Sequence, residues 1–348
     1  MLSNWEIARK IQEDLKRAEA RVGKEAVRIY RQAADELEKD ITRFLARISR
    51  PDGTVGIDAV VAADRAVSLR GQIEKVMSEM AGEVEGLLNR EADKAALRYL
   101  EKYAGSVEAV LPPGMAVKLN RFWPEVATAI LNRKMDGVHF SERLGAIAPE
   151  VAEEMLGQLT IGAIRGEGIH PLMVRLRKTA DIGRYRAEMI ARTEIIRAHN
   201  AACDWTYAQY EGLVQAKRRL VTLDTRTCIA CLAQDGRLYR LDEPMDDHVM
   251  GRCTFTAVLP EWEELGYEGE VPQHIRRARD PYTQRNELVD FVDGRTWFEG
   301  LPADVQMRMM GPSRWRMWRD GLLGWEDLYG PGSSIVPVRN LKNVVGAP

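Results

Sequence analysis

Two stretches near the start of the chain, residues 3 to about 49 and about 57 to 104, repeat apolar side chains every three to four positions. That spacing marks one face of an α-helix. In the first stretch the stripe runs through Trp5, Ile7, Ile11, Leu15, Ala18 and Val22, then Val27, Tyr30, Ala34, Leu37, Ile41 and Leu45. The residues between are mostly Ala, Glu, Lys, Arg and Leu, which favour helix intrinsically. Ser3 is placed to cap it and Gly23 is the candidate bend. Unbroken, such a helix spans ~70 Å at 1.5 Å per residue. Arg50-Pro51-Asp52-Gly53 supplies turn chemistry. The second stripe follows through Val60, Val67, Ile73, Val76, Met80, Val84, Leu87 and Leu88. Two long helices joined by a short turn imply an antiparallel hairpin. It is either part of a bundle or an arm laid on a partner or symmetry mate. The length of the stripe beside so few core-forming neighbours favours the arm. The heptad is too irregular for a coiled coil.

Leu111-Pro112-Pro113-Gly114 reads as a linker, and shorter helices follow to about 212. One breaks near Gly166-Glu167-Gly168, and His170-Pro171 starts the next. Asp181 reads as the cap of a further helix that ends at Gly212. From 213 the character changes. Leu213–Leu223 is partly alternating, Asp235-Gly236 is a tight-turn signal, and Arg237–Leu241 and Cys253–Pro260 alternate again. A small antiparallel sheet follows from this. After 296 the chain is helical, and residues 336–348 read as a tail that orders only on a partner. The fold class is α+β and predominantly helical. The expected division is 1–110 helical arm or hairpin, 111–212 central helices, 213–295 small β-rich module and 296–348 helical segment and tail.

The bulk properties exclude several classes. The chain has 348 residues, 45% hydrophobic and 29% charged, as ordinary globular proteins do. The net charge of −2 provides no global field for nucleic acid or membrane. The first twenty residues lack an apolar signal region, and no run approaches ~18 apolar residues. The expectation is a chain with neither export signal nor membrane span. Three of its four cysteines, Cys228, Cys231 and Cys253, fall in one short window; Cys203 stands apart. In a reducing compartment that favours metal over disulfide.

The strongest local signal is Cys228-x-x-Cys231, then His248, then Cys253. A CxxC turn aims two thiolates at one centre and a distant pair completes a tetrahedron, which zinc prefers. The competing reading is three small buried thiols beside a surface histidine. With zinc, three thiolates and one imidazole fill four positions and leave none for water, the pattern of a structural site. Asp246 and Asp247 are either acceptors for the free ring N–H of His248 or plain solvated charges.

No phosphate-binding loop, nucleophile elbow or H-E-x-x-H occurs. His139, His199 and His274 read as surface or core rather than ligands. Glu194 and Arg197 are spaced to pair along a helix, and Arg192 and Glu194 are candidate polar struts. Basic clusters occur at Lys217-Arg218-Arg219, at Arg276, Arg277, Arg279 and Arg285, and at Arg308, Arg314, Arg316 and Arg319 around Trp315 and Trp318. Each either touches phosphate without reading sequence or is a solvated, ion-paired surface. Neighbouring acids favour the second.

The ordered set Ala191-Arg192-Thr193-Glu194-Ile195, Asn200, Leu223-Asp224-Thr225-Arg226-Thr227-Cys228-Ile229-Ala230-Cys231, Asp235-Gly236, His248 and Arg252-Cys253 resembles the phage Mu F-like minor head protein family. Trp297, Leu301-Pro302, Gln306, Gly311-Pro312, Arg314, Trp318 and Gly321 resemble a segment that follows the core in such proteins, so the likeness spans roughly 180 to 330. One departure stands out: Gly251-Arg252-Cys253 replaces the family's C-R-C.

The resemblance implies a minor capsid, head morphogenesis protein of a tailed phage rather than an enzyme. It implies a place in the virion, at the capsid interior or portal vertex, after assembly in the host cytoplasm, in multiple copies. The implied role is head assembly and genome packaging or delivery. The implied partners are the portal, the major capsid or scaffolding protein, and packaged DNA through non-specific contact. It gives Arg192, Glu194, Asn200, Asp224 and Arg226 a structural role in the shared core. The competing class is a zinc-dependent enzyme acting on nucleic acid. That would need an open metal position and a base drawn from Asp224, Asp247 or Glu194.

Overall fold

The structure is a computed structural model. It describes residues 4–61, 63–115, 126, 129, 139–210, 212–244, 248–249, 251–268, 275–283, 285–290 and 292–345. By contacts the chain divides into two compact units. One holds residues up to Arg17, Ala95–Ile130 and Ile196–Pro348; the other holds Ala18–Lys94 and Leu131–Ile195. The protein is predominantly helical with a small antiparallel sheet. No helix among the described residues is long and apolar enough to cross a membrane.

The helical unit is built from α1 (Asn4–Ile48), α2 (Ile57–Val61), α3 (Ala63–Glu108), α4 (Phe140–Gly145), α5 (Ile147–Ile164) and α6 (Ile169–Gln209). Helices α1, α3 and α6 contribute residues to both units. The stripe predicted for α1 is the buried one: Val22, Tyr30, Leu37, Ile41 and Leu45 are almost wholly covered. The chain reverses at Ser49↔Val55, an antiparallel bridge, so α3 returns beside α1, and Arg21 pairs with Glu91 at 2.5 Å. The face expected to lie on a partner or symmetry mate is instead buried within the chain's own helices. Val67 departs from it, being 71% exposed, and the buried stripe of α3 passes instead through Leu69, Ile73, Met77 and Met80.

Two expected breaks are absent. Helix α1 runs through Gly23. Helix α6 runs through Asp181, which pairs with Arg184 at 3.1 Å rather than capping a helix. Glycine at 23 serves packing: a Cβ there would lie 2.8 Å from Arg192 Cγ. Arg192 reaches past it to hold Glu19, one turn earlier, by two bonds of 2.9 and 3.0 Å. Glu194 pairs with Arg143 of α4. The expected caps and stripe residues Ser3, Trp5 and Ile7 lie outside the described side chains.

The other unit centres on a sheet of order β2-β1-β3, with β1 Ala216–Leu220, β2 Leu238–Tyr239 and β3 Thr254–Val258, all antiparallel. Between β1 and β2 lies the one-turn helix α7 (Ile229–Ala233). Gly236 takes a φ of +79°, open to glycine, and turns the chain so that its N–H reaches Arg219 O at 2.9 Å. Asp235 fixes this turn from inside: its carboxylate accepts from Val221 N at 2.8 Å and Gly294 N at 2.7 Å.

A second hairpin, β4 (Ile275–Arg279) with β5 (Asn286–Asp290), was not expected. Beyond it come α8 (Gly294–Glu299), α9 (Ala303–Met310), α10 (Pro312–Arg319), two short 3-10 turns at Trp325–Leu328 and Pro331–Ser333, and α11 (Val338–Val345). The strand pair β6 (Tyr329–Gly330) and β7 (Ser334–Ile335) joins the two turns. Phe298, Trp318 and Trp325 meet edge-on at 5.4 to 5.7 Å and form one core with Val221, Leu223, Cys231 and Cys253. Gln306 sits in this core, donating to Phe298 O and accepting from Trp315. The tail expected to be disordered is helical from Val338, because Leu341 inserts into the same core and is 1% exposed.

Candidate metal centre

The segment Asp224–Cys228 is tied by one carboxylate. Asp224 is 1% exposed. It accepts from its own loop through Arg226 N and Thr227 Oγ1, each at 3.0 Å. Arg252 grips it from the other segment, Nη1 to Oδ2 at 3.2 Å and Nη2 to Oδ1 at 3.0 Å. Lys16 of α1 adds charge at 3.8 Å. Burial opposes ionisation, but Arg252, Lys16 and Thr227 outweigh it and hold Asp224 at about 2. The Arg226 side chain is 66% exposed and approaches Asp224 only to 3.6 Å. This bidentate clamp sets the CxxC loop against the loop that carries His248 and Cys253.

Cys228 ends the loop in extended conformation and caps α7, its Sγ accepting from Cys231 N at 3.3 Å. His248 Nε2 lies 3.2 Å from Cys228 Sγ and 3.2 Å from Cys231 Sγ. The ligand atoms of these three residues all lie within 4.8 Å of one another, close enough to hold one ion. His248 Nδ1 faces Val249 O at 2.8 Å. A carbonyl only accepts, so Nδ1 carries the hydrogen and Nε2 keeps its lone pair for the sulfurs' side. Tetrahedral zinc places sulfur and nitrogen ligands roughly 3.5 Å apart, so the group fits with an opening of a few tenths of an ångström. Cys228 is lowered from the ordinary thiol value, first by the hydrogen bond from Cys231 and against burial. Cys231 is raised by the same bond, by Cys253 and by burial.

Cys253 stands outside that group of three. A side-chain hydrogen bond links it to Cys231, and Arg219 Nη2 approaches both sulfurs, at 3.2 Å and 3.5 Å. Asp246 and Asp247, expected near His248, lie outside the described residues, as does His274. Asn200 belongs elsewhere: its Oδ1 meets His199 Nδ1 at 3.0 Å, and His199 Nε2 meets Tyr103 Oη at 2.9 Å. This histidine is fully buried, and desolvation lowers it to about 4.

The basic cluster at 217–219 is not a solvated surface. β1 alternates, so Lys217 and Arg219 point to one covered face and are 0% exposed. Lys217 pairs with Asp204 at 2.6 Å. Sequence reasoning missed both residues, although the two-residue period of the strand was available to place them. In the later clusters Arg308 pairs with Asp304 at 2.6 Å, Arg319 pairs with Asp320 at 2.7 Å, and Arg314 donates to Val336 O. The Arg276 and Arg277 side chains lie outside the description.

These features define a helical α+β protein in which segments beside the sheet carry a Cys/His group able to hold a metal, joined by a buried aspartate and its partner arginine. Residues 153–256 match the family model described as Phage Mu protein F like protein, so this stretch carries that family's pattern. The match takes in every ordered motif from Arg192 to Cys253 and ends in β3, before the segment 297–321. Searches of curated proteins and of solved structures gave no match.

Proposed function

We propose that the chain is a minor structural protein of a tailed-phage head, acting in assembly at the portal or the inner capsid wall. The observation that carries the reading is the family match over 153–256, within which each matched motif has a structural task. Arg192 braces α6 on α1, Asp224 and Arg252 join the two ligand loops, and Asp235 ties the turn. In this reading Cys228, Cys231, His248 and Cys253 hold a structural zinc ion. Zinc would supply a cross-link between the two loops there, and four protein ligands would leave it no position for a reacting water. The remaining residues keep the two loops in register. The partners are the portal, the major capsid or scaffolding protein, with packaged DNA as a non-specific contact.

The test is fractionation of particles from the phage that encodes the chain, with an antibody raised against it. Recovery in mature heads or procapsids at a fixed copy number supports the reading. Recovery only as free protein, with heads lacking it, overturns it.

A further inference from the structure

Among the described residues Arg219 is the largest side chain buried to less than 2% exposure, and its guanidinium is always charged. It donates to Ser333 Oγ at 2.9 Å and Tyr239 Oη at 3.3 Å, which are neutral hydroxyls. Its other amino group faces two sulfurs, Cys253 at 3.2 Å and Cys231 at 3.5 Å. The strand explains the aim. Arg219 lies opposite Phe255 on β3, two residues beyond Cys253, while its backbone pairs with Arg237 and Gly236 beyond α7. It therefore stands between the segment carrying Cys231 and the segment carrying Cys253.

We propose that Arg219 is a positioning residue of the metal centre, its guanidinium drawing the Cys253 sulfur into the ligand set of Cys228, Cys231 and His248. The proposal rests on the zinc reading above. Charge explains why an arginine is needed. A divalent ion with three thiolates and one neutral imidazole carries a net charge of −1, and burying that anion is unfavourable without a partner. The guanidinium neutralises it, and its N–H groups hydrogen-bond the sulfurs from outside the coordination shell.

The experiment replaces the native ion with Co(II) in the full-length protein and compares the parent with Arg219→Gln, Arg219→Lys, Ser333→Ala and Cys253→Ser. The sulfur-to-cobalt charge-transfer band counts thiolate ligands, and competition with a chromophoric chelator measures affinity. The parent is expected to show three-thiolate intensity. Arg219→Gln is expected to fall to the two-thiolate intensity of Cys253→Ser and to bind about 10- to 100-fold more weakly, the range of outer-shell losses. Arg219→Lys, which retains charge, is expected between the two and stands in if the Gln variant does not fold. Ser333→Ala removes another Arg219 contact and is expected to leave band and affinity unchanged. Parent-like intensity and affinity in folded Arg219→Gln, or in folded Arg219→Lys where the Gln variant does not fold, would overturn the role of Arg219 while leaving the metal centre intact. A parent that binds no Co(II) would overturn the metal reading and the proposal with it.

Discussion

Arg192 lies across Gly23: a Cβ built on that glycine would stand 2.8 Å from Arg192 Cγ and 3.0 Å from its Cδ. The contact is with the stem of the arginine, whose head is fixed on Glu19 by two hydrogen bonds. The Glu19 side chain is 5% exposed, so the stem has little freedom to retreat. Gly23, Glu19 and Arg192 thus form one packing unit, although only Arg192 belongs to a recognised motif.

This coupling predicts a change of sign. In an open helical position Gly→Ala stabilises by about 1 kcal/mol. In the parent, Gly23→Ala is expected to destabilise, because it displaces a fixed arginine. Arg192→Ala is expected to lose about 3 kcal/mol, the effect of leaving a largely buried carboxylate unpaired. In that background Gly23→Ala should become stabilising by about 1 kcal/mol. Denaturant unfolding of the four proteins closes the cycle, and equal effects of Gly23→Ala in both backgrounds would rule the coupling out.

His199 sets a pH dependence. Desolvation lowers it from 6.5 to about 4 in the folded protein, against a hydrogen bond to Asn200 that raises it. The unfolded chain therefore takes up this proton first. Its contribution is fully present above pH 6.5 and is lost as pH falls from 6.5 to about 4. The whole contribution is on the order of 3 kcal/mol. Unfolding free energy measured across that window should slope downward with acid in the parent and flatten in His199→Gln. An equal slope in both proteins would remove His199 as the cause.

The long helices were legible because burial on one face imposes a period that sequence retains: Ile11, Leu15, Val22, Leu37, Ile41 and Leu45 are all buried. The three strands and the Cys228, Cys231 and His248 grouping were legible for similar reasons of period and spacing. Interactions between distant segments were not. Nothing in the neighbourhood of Gly23 announces an arginine arriving from residue 192, so the glycine reads as a bend. Strand β4 contains Arg276, Arg277 and Arg279 and reads as a basic surface, because its backbone pairing with β5 joins segments that no period in either one announces. Arg219 was hidden by its own charge, since three consecutive basic residues suggest solvent while the strand buries two of them.

The motif residues Asp224 and Arg226 are expected to differ sharply. Asp224 is buried and gripped by Arg252, so Asp224→Asn should destabilise by about 3 kcal/mol through loss of that charge pair. The Arg226 side chain is 66% exposed, so Arg226→Ala should change stability by less than about 0.5 kcal/mol. The Asp224 contribution is present above its ordinary value of 3.8 and is lost as pH falls toward 2. Chemical denaturation of both variants at neutral pH is the check, and comparable losses would contradict the clamp.

Metal removal should act locally. Among the described residues the loops carrying Cys228, Cys231 and His248 meet around the centre and the Asp224–Arg252 pair, whereas α1, α3 and α6 are held by their own buried stripes. A bound ion at a hundredfold excess over its dissociation constant adds about 2.7 kcal/mol to whatever folds with it. Chelation of purified protein is therefore expected to speed amide hydrogen exchange in peptides covering 222–233 and 251–258. Exchange in 22–45 and 69–88 should stay unchanged. Cys228→Ser with Cys231→Ser should show the fast pattern without chelator and no further response to it. Uniform acceleration throughout would mean that the ion supports the entire fold. No change anywhere, in protein shown to have carried zinc, would mean that the sulfurs and the ring are held by packing alone.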